Sequence, residues 1–223
     1  MPRRARLQCA GEFVHVMNRR VDRSCLFGTS ADYRVFASIL AWSQRQVRME
    51  ITAWVLMPNH WHLVLHPLGD GQLTEFMHRV QTVHAMAFRK ATGTSGQGCV
   101  YGSRFKGFLI PQDRLLRSVV YVERNPVKAS LVGRAQDWPH GSAEDSGDGH
   151  RSPLVTRLPM ELERHRIGLL GQPLPGEFEA SFQSACRVGV MGSPLAARQS
   201  MQRKIEAVRS VNAARGVLSG SRG

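Results

Sequence analysis

Between positions 51 and 69 the chain carries no Asp, Glu, Lys or Arg, and Pro58-Asn59 interrupts this uncharged run at its middle. On either side stand two apolar segments rich in β-formers, ITAWVLM (51–57) and HWHLVLH (60–66). A turn dipeptide between two such runs predicts a tight hairpin. The run has the length of a membrane span. A lipid-facing helix would not tolerate proline, asparagine and three histidines at its centre cheaply, so no membrane role is expected.

The remaining elements follow from periodicity. EFVHVMNRR (12–20) alternates around Val14 and Val16 and reads as a strand ending on a basic edge. Asp32 opens a helix with Val35, Phe36, Ile39, Leu40 and Val47 on its inner stripe, and LTEFMHRVQTVHAMAFRKA (73–91) is a second amphipathic helix. SRFKGFLI (103–110) reads as a strand. QDRLLRSVVYVERNP (112–126) reads as a third helix stopped by Pro126, because the residue before a proline resists the helical conformation. Strands mixed with three helices predict an α+β fold with helices packed on one sheet face.

AEDSGDGHRSP (143–153) reads as a flexible linker between a domain over 1–142 and an extension over 154–223. A helix is expected over 193–211 and disorder in the last dozen residues. The 223 residues hold 30 Lys and Arg against 17 Asp and Glu, a net charge of +13. So large an excess favours a polyanionic partner, since each cation set on a phosphate releases condensed counterions. The four cysteines are scattered without a C-x-x-C pair, which suggests neither a zinc ribbon nor a disulfide framework. The first residues are basic without an apolar core, so a cytoplasmic location is expected.

Two sets of residues carry candidate chemistry. On a strand, His60, His62, Val64 and His66 share one face, while Trp61, Leu63 and Leu65 face the helices. Two imidazoles side by side are either hydrogen-bonded strand histidines or two ligands of one divalent ion. His78 and His84, six apart on a helix, share no face and suggest no site. On the third helix Leu115, Leu116, Val119, Val120 and Val122 make the apolar face. Tyr121 falls opposite, beside Arg114, Arg117 and Asn125. Glu123 falls within the apolar face without explanation from the sequence.

HVMNRR, CLF, ADYRVF, WVLMPNHWHLVLHP, GSRFKGFLI and YVERNPVKASLV, in this order over residues 6–143, resemble the REP-associated tyrosine transposases. These are single-tyrosine members of the HUH endonuclease superfamily. The resemblance implies a ferredoxin-like antiparallel sheet with helices on one face, the HUH-type nuclease fold, followed by a C-terminal extension. It implies that HWH is the family's histidine–hydrophobe–histidine motif, with His60, His62 and Asn125 holding Mg²⁺ or Mn²⁺ and Tyr121 as nucleophile. The implied substrate is single-stranded or hairpin DNA of the REP-palindrome kind, cut through a 5′-phosphotyrosine link, in a nucleoid-associated setting. Relatives differ over whether one subunit or two complete a site, which leaves monomer and homodimer both open.

Arg19, Arg20, Arg104, Lys106, Arg114, Arg117 and Lys128 are the candidates for phosphate contacts. Trp61 is expected in the core rather than under a base. Two rival readings remain at this level: a non-catalytic binding protein for repeat hairpins, and a metal-dependent hydrolase of small phosphoesters.

Overall fold

The uncharged run folds into two antiparallel strands, β2 (Glu50–Met57) and β3 (His60–His66), closed by Pro58 and Asn59. The computed structural model describes residues 9–96, 98–143, 154–156, 158 and 160–188. In chain order β1 (Phe13–Arg19), α1 (Ser30–Val47), β2, β3, α2 (Gln72–Thr92) and β4 (Lys106–Ile110) make a βαββαβ unit. Its four strands lie in the order β2-β3-β1-β4 and every pairing is antiparallel, a ferredoxin-like sheet. The fold is therefore α+β, as expected. β1, the first strand of the chain, lies between β3 and β4.

Alternation along the strands divides the interior into two cores. Val14, Val16, Trp54, Leu56, Trp61, Leu63 and Leu65 meet Phe36, Leu40, Phe76, Met77 and Val80 of α1 and α2. This is the helix-covered face that the hairpin pattern predicts, and Trp61 is fully buried in it. His84 lies in the same core, its Nδ1 2.6 Å from the Tyr101 hydroxyl, while His78 is exposed. Thr29 caps α1, its backbone N–H donating to the Asp32 carboxylate at 2.8 Å. The inner stripe differs from expectation at one position: Val35 is exposed, because the face that meets the sheet is centred on Phe36 and Leu40.

The opposite face is covered as well. A 3-10 turn (Gln112–Arg114) leads into α3 (Leu115–Glu123), which lies against β2 and β3. From the extension come α5 (Met160–Leu170), packed on α3, and α6 (Gly176–Val188), packed near β4. Ala53, Val55, Val64 and Phe108 from the sheet meet Val119, Val122, Phe178 and Phe182 there. Pro126 ends one helix and begins another. Arg124 closes α3, and Asn125–Lys128 form a further turn, α4, with the proline in its first turn, where its missing donor costs nothing. Of the expected 143–153 linker only Ala143 is described, and it is buried. The helix expected over 193–211 and the tail lie outside the described residues.

A loop over 138–143 shields the outer edge of β2. Leu56 N–H donates to the His140 carbonyl and Ser142 N–H to that of Trp54, both at 2.8 Å. Gly141 eases this approach, since a Cβ there would stand a tight 3.3 Å from the Trp54 carbonyl oxygen. The same loop accounts for Glu123. Its carboxylate accepts from Ser142 Oγ at 2.7 Å and from Arg166 Nη1 of α5 at 2.8 Å, and both charged side chains are buried. Arg166 also reaches Glu163 at 2.6 Å.

Removing one partner of a buried ion pair leaves the other uncompensated, which typically costs about 3–5 kcal/mol. Arg166→Met is expected to lose stability of that order in urea unfolding. Arg166→Met combined with Glu123→Gln should lose clearly less. Equal losses would show that the charge pairing is not the cause.

Candidate active site

β3 places His60 and His62 on the face turned toward α3 and α6, with ring centroids 5.0 Å apart. Each ring is held through its Nδ1. Asn59 donates its amide N–H to the Arg23 carbonyl at 3.1 Å, so its oxygen is left to accept from His60 Nδ1 at 2.6 Å. The turn residue that closes the hairpin thereby orients the first histidine. His62 Nδ1 lies 2.9 Å from Nε2 of His15 on β1. The register pairs His15 with Val64 and Met17 with His62, so the two imidazoles are diagonal neighbours on one face.

Burial keeps these rings neutral. It draws His60 down to about 4, with the Arg19 charge adding to the effect. It holds His62 well below the usual histidine range, helped by His15, His60 and Arg19, and takes His15 to about 3. A neutral imidazole whose Nδ1 is engaged offers its Nε2 to a partner. His66 shares the face but is spent on Glu50, 2.7 Å away.

Tyr121 is not on an open polar flank, as the helical wheel predicts; only 7% of it is exposed. A wheel ranks faces on the assumption of one packing partner, and α3 has two, the sheet beneath it and α5 with α6 above. The tyrosine ring stacks on Phe182 of α6 with centroids 4.0 Å apart, and Phe182 in turn meets His15 edge-on at 4.8 Å. One aromatic ring therefore separates the phenol from the histidine cluster. Burial pushes the Tyr121 hydroxyl up to about 12, Cys186 and Glu179 push in the same direction, and a hydrogen bond with Gln183 opposes them. Lys128 Nζ stands 5.1 Å from the centre of the ring and pairs with Glu179 at 2.5 Å.

Asn125 lies one turn beyond the tyrosine. Its amide N–H groups donate to the carbonyls of Tyr121 and Val122 at 2.9 and 3.2 Å. The group left to offer a cation is its carbonyl oxygen. By donor chemistry, two neutral imidazoles and one amide oxygen would suit Mn²⁺ and, less well, Mg²⁺. Among the described residues no three His, Cys, Asp or Glu side chains come together to hold an ion. Among the described residues, a third ligand would be of another type, as an amide oxygen is.

The candidate phosphate contacts divide. Arg19, Arg104, Lys106 and Arg117 are exposed, and Arg19 pairs in register with His60 at the rim. Arg20 is engaged within the chain: it bridges to Asp22 at 3.2 Å and lies over the Phe88 ring at 4.9 Å. Arg114 donates to Ser181 at 3.3 Å, and Lys128 is taken by Glu179. Among the described residues, no helix is long and apolar enough to cross a membrane.

Sequence reasoning missed His15 and Phe182. The alternation of β1 does set His15 on the face opposite Val14 and Val16, but nothing local says that β1 pairs with β3. Phe182 belongs to a helix for which the sequence reading made no element.

Comparison with known proteins finds relatives of this chain and of its fold. The chain is 28% identical to the REP-associated tyrosine transposase of Escherichia coli K12 over 131 residues, 58% of this chain and 74% of that protein. A solved structure of a REP-associated tyrosine transposase bound to a REP hairpin shares the fold. The match has a TM-score of 0.53 at 23% identity and covers 71% of this chain and 99% of that one. The family model described as "Transposase IS200 like" matches residues 10–125, which holds β1 through α3, the histidine pair and the tyrosine. With more than half of its length under that match, the chain belongs to the IS200-like transposase family.

Proposed function

We propose that this transposase-family chain cuts and rejoins single-stranded DNA beside a hairpin, using Tyr121 as nucleophile and a divalent cation held by His60, His62 and Asn125. One observation carries the reading. Within a single chain, Tyr121 of α3 stacks on Phe182, and Phe182 meets His15, the β1 histidine whose Nε2 lies 2.9 Å from Nδ1 of His62 on β3. The hairpin preference rests on the solved relative, which is described as bound to a REP hairpin.

A bound Mn²⁺ or Mg²⁺ would supply Lewis-acid polarisation of a phosphate oxygen. His60 and His62 would hold it through Nε2, the ring nitrogen away from each Nδ1 contact, and Asn125 through its amide oxygen. Tyr121 attacks phosphorus through its phenol oxygen. The bond from phosphorus to the 3′-oxygen breaks, the phenol gives up its proton to solvent, and the 3′-oxygen takes one up to leave as a free 3′-hydroxyl. The 5′-phosphate stays on the tyrosine as a diester, so another 3′-hydroxyl can reverse the exchange and join strands. Exposed Arg19, Arg104, Lys106 and Arg117 are the cations offered to the DNA backbone.

Only 7% of Tyr121 is exposed, and Phe182 covers one face of its ring. That same seal favours a second reading, in which the chain binds repeat hairpins without cutting them. Incubating the full chain with labelled hairpin-flanked single-stranded DNA and Mn²⁺ separates the two. Transesterification should give a band of protein-linked DNA that survives denaturation, together with a fragment ending in 3′-hydroxyl. Hairpin binding with neither product, in Mn²⁺ or Mg²⁺, would leave the binding reading.

A further inference from the structure

His15 faces His62 across 2.9 Å between two nitrogens, with both side chains buried, and no role has been given to it so far. A contact of this kind holds one hydrogen, and there are two ways to place it. If His62 Nδ1 carries it, His15 Nε2 accepts and His62 Nε2 presents a bare lone pair. The hydrogen of His15 then sits on Nδ1, turned to Cys186 Sγ at 4.0 Å. If His15 Nε2 carries it, His62 Nδ1 accepts, His62 must hold its own hydrogen on Nε2, and it cannot ligate.

His60 faces no such choice. Its Nδ1 meets an amide oxygen that only accepts, which fixes its hydrogen there and clears its Nε2. The two histidines of the pair are thus held by unlike partners. Asn59 can take one role and His15 can take either.

We infer that His15 is a positioning residue: by accepting the His62 Nδ1 hydrogen it sets the tautomer and ring plane in which His62 Nε2 can bind a divalent cation. This inference rests on the cation site proposed above and extends it to β1. Its ring is held for that task by Phe108 at 4.8 Å and Phe182 at 4.8 Å, which leave it little rotational freedom. Partners that hydrogen-bond a ligating histidine typically change metal affinity by about 10–100-fold when removed.

The test is Mn²⁺ binding to the full chain without DNA, followed by the paramagnetic resonance of the free ion. The chains compared are wild type, His15→Leu, His15→Gln and His60→Ala. His15→Leu offers no acceptor and should weaken binding by about 10–100-fold. His15→Gln places an amide oxygen near the former Nε2 and should stay within about threefold of wild type. His15→Leu binding like wild type while His60→Ala fails would overturn the inference and leave the cation site standing. Equal failure of Leu and Gln would also overturn it, by making His15 a matter of packing alone. A wild type that binds no Mn²⁺ would overturn both. Nitrogen NMR of the wild type with Zn²⁺ needs no variant to fold: His62 and His15 should each carry their hydrogen on Nδ1. A hydrogen on His15 Nε2 in the loaded protein would refute the proposal directly.

Discussion

Tyr121→Phe is expected to abolish the covalent protein–DNA adduct while hairpin binding persists. The substitution removes one oxygen and little else. The phenylalanine ring keeps its stack on Phe182 and its place under Lys128, so the packing of α3 against α6 is unchanged. Among the described residues, what is lost is the hydrogen bond with Gln183, at a cost of about 1 kcal/mol. Without the phenol oxygen there is no group to hold the 5′-phosphate, and cleavage should fall by about 10³-fold or more, as when other enzymes lose their nucleophile. A denaturing gel with labelled DNA reads the adduct, and a mobility shift reads the binding. An adduct that survives would place the nucleophile elsewhere. The other two tyrosines are poor substitutes: Tyr33 is stacked on His140 at 3.7 Å, and Tyr101 is buried with its hydroxyl bonded to His84 and Trp61.

His60→Ala is the second large effect expected. His60 is half-buried at the rim, and its removal gives up one bond to Asn59, so the fold should lose only about 1 kcal/mol. The cation site loses one of two imidazoles, and two-ligand chelation with it. Metal-dependent cleavage is expected to drop by about 10²-fold or more at limiting Mn²⁺. Adding excess Mn²⁺ should restore part of it, which a fault in folding would not allow. If the wild type cuts equally well in EDTA, the histidine pair has no metal role and the proposed chemistry fails with it.

Much of the scaffold was legible because it rests on short-range rules. Pro58-Asn59 between two β-rich runs dictates a hairpin, and a period of two then sorts Trp61 and Leu63 from His60 and His62. A helical period marks α1, α2 and α3. The strand read over 103–110 begins later, at Lys106, and the helix read as ending at Pro126 continues as a separate turn. These are boundary effects, where a local rule names the breaker and not what the chain does after it.

What remained illegible lies between elements distant in sequence. His15 and His62 are 47 positions apart, and their contact exists because β1 enters the sheet beside β3. Glu123 looked misplaced on an apolar face until Ser142 and Arg166, 19 and 43 positions away, supplied its partners.

The chain's own pattern determined the strands, the first three helices, the paired imidazoles and the basic character, since each follows from which residues stand within a few positions of one another. Tertiary structure alone decided that β1 lies beside β3, that α3 is enclosed on both sides, and that an aromatic ring of α6 stands between the phenol and the histidines. The physical reason is that a backbone repeat fixes the face on which a side chain lies, whereas the group that meets that face is chosen by packing the whole chain.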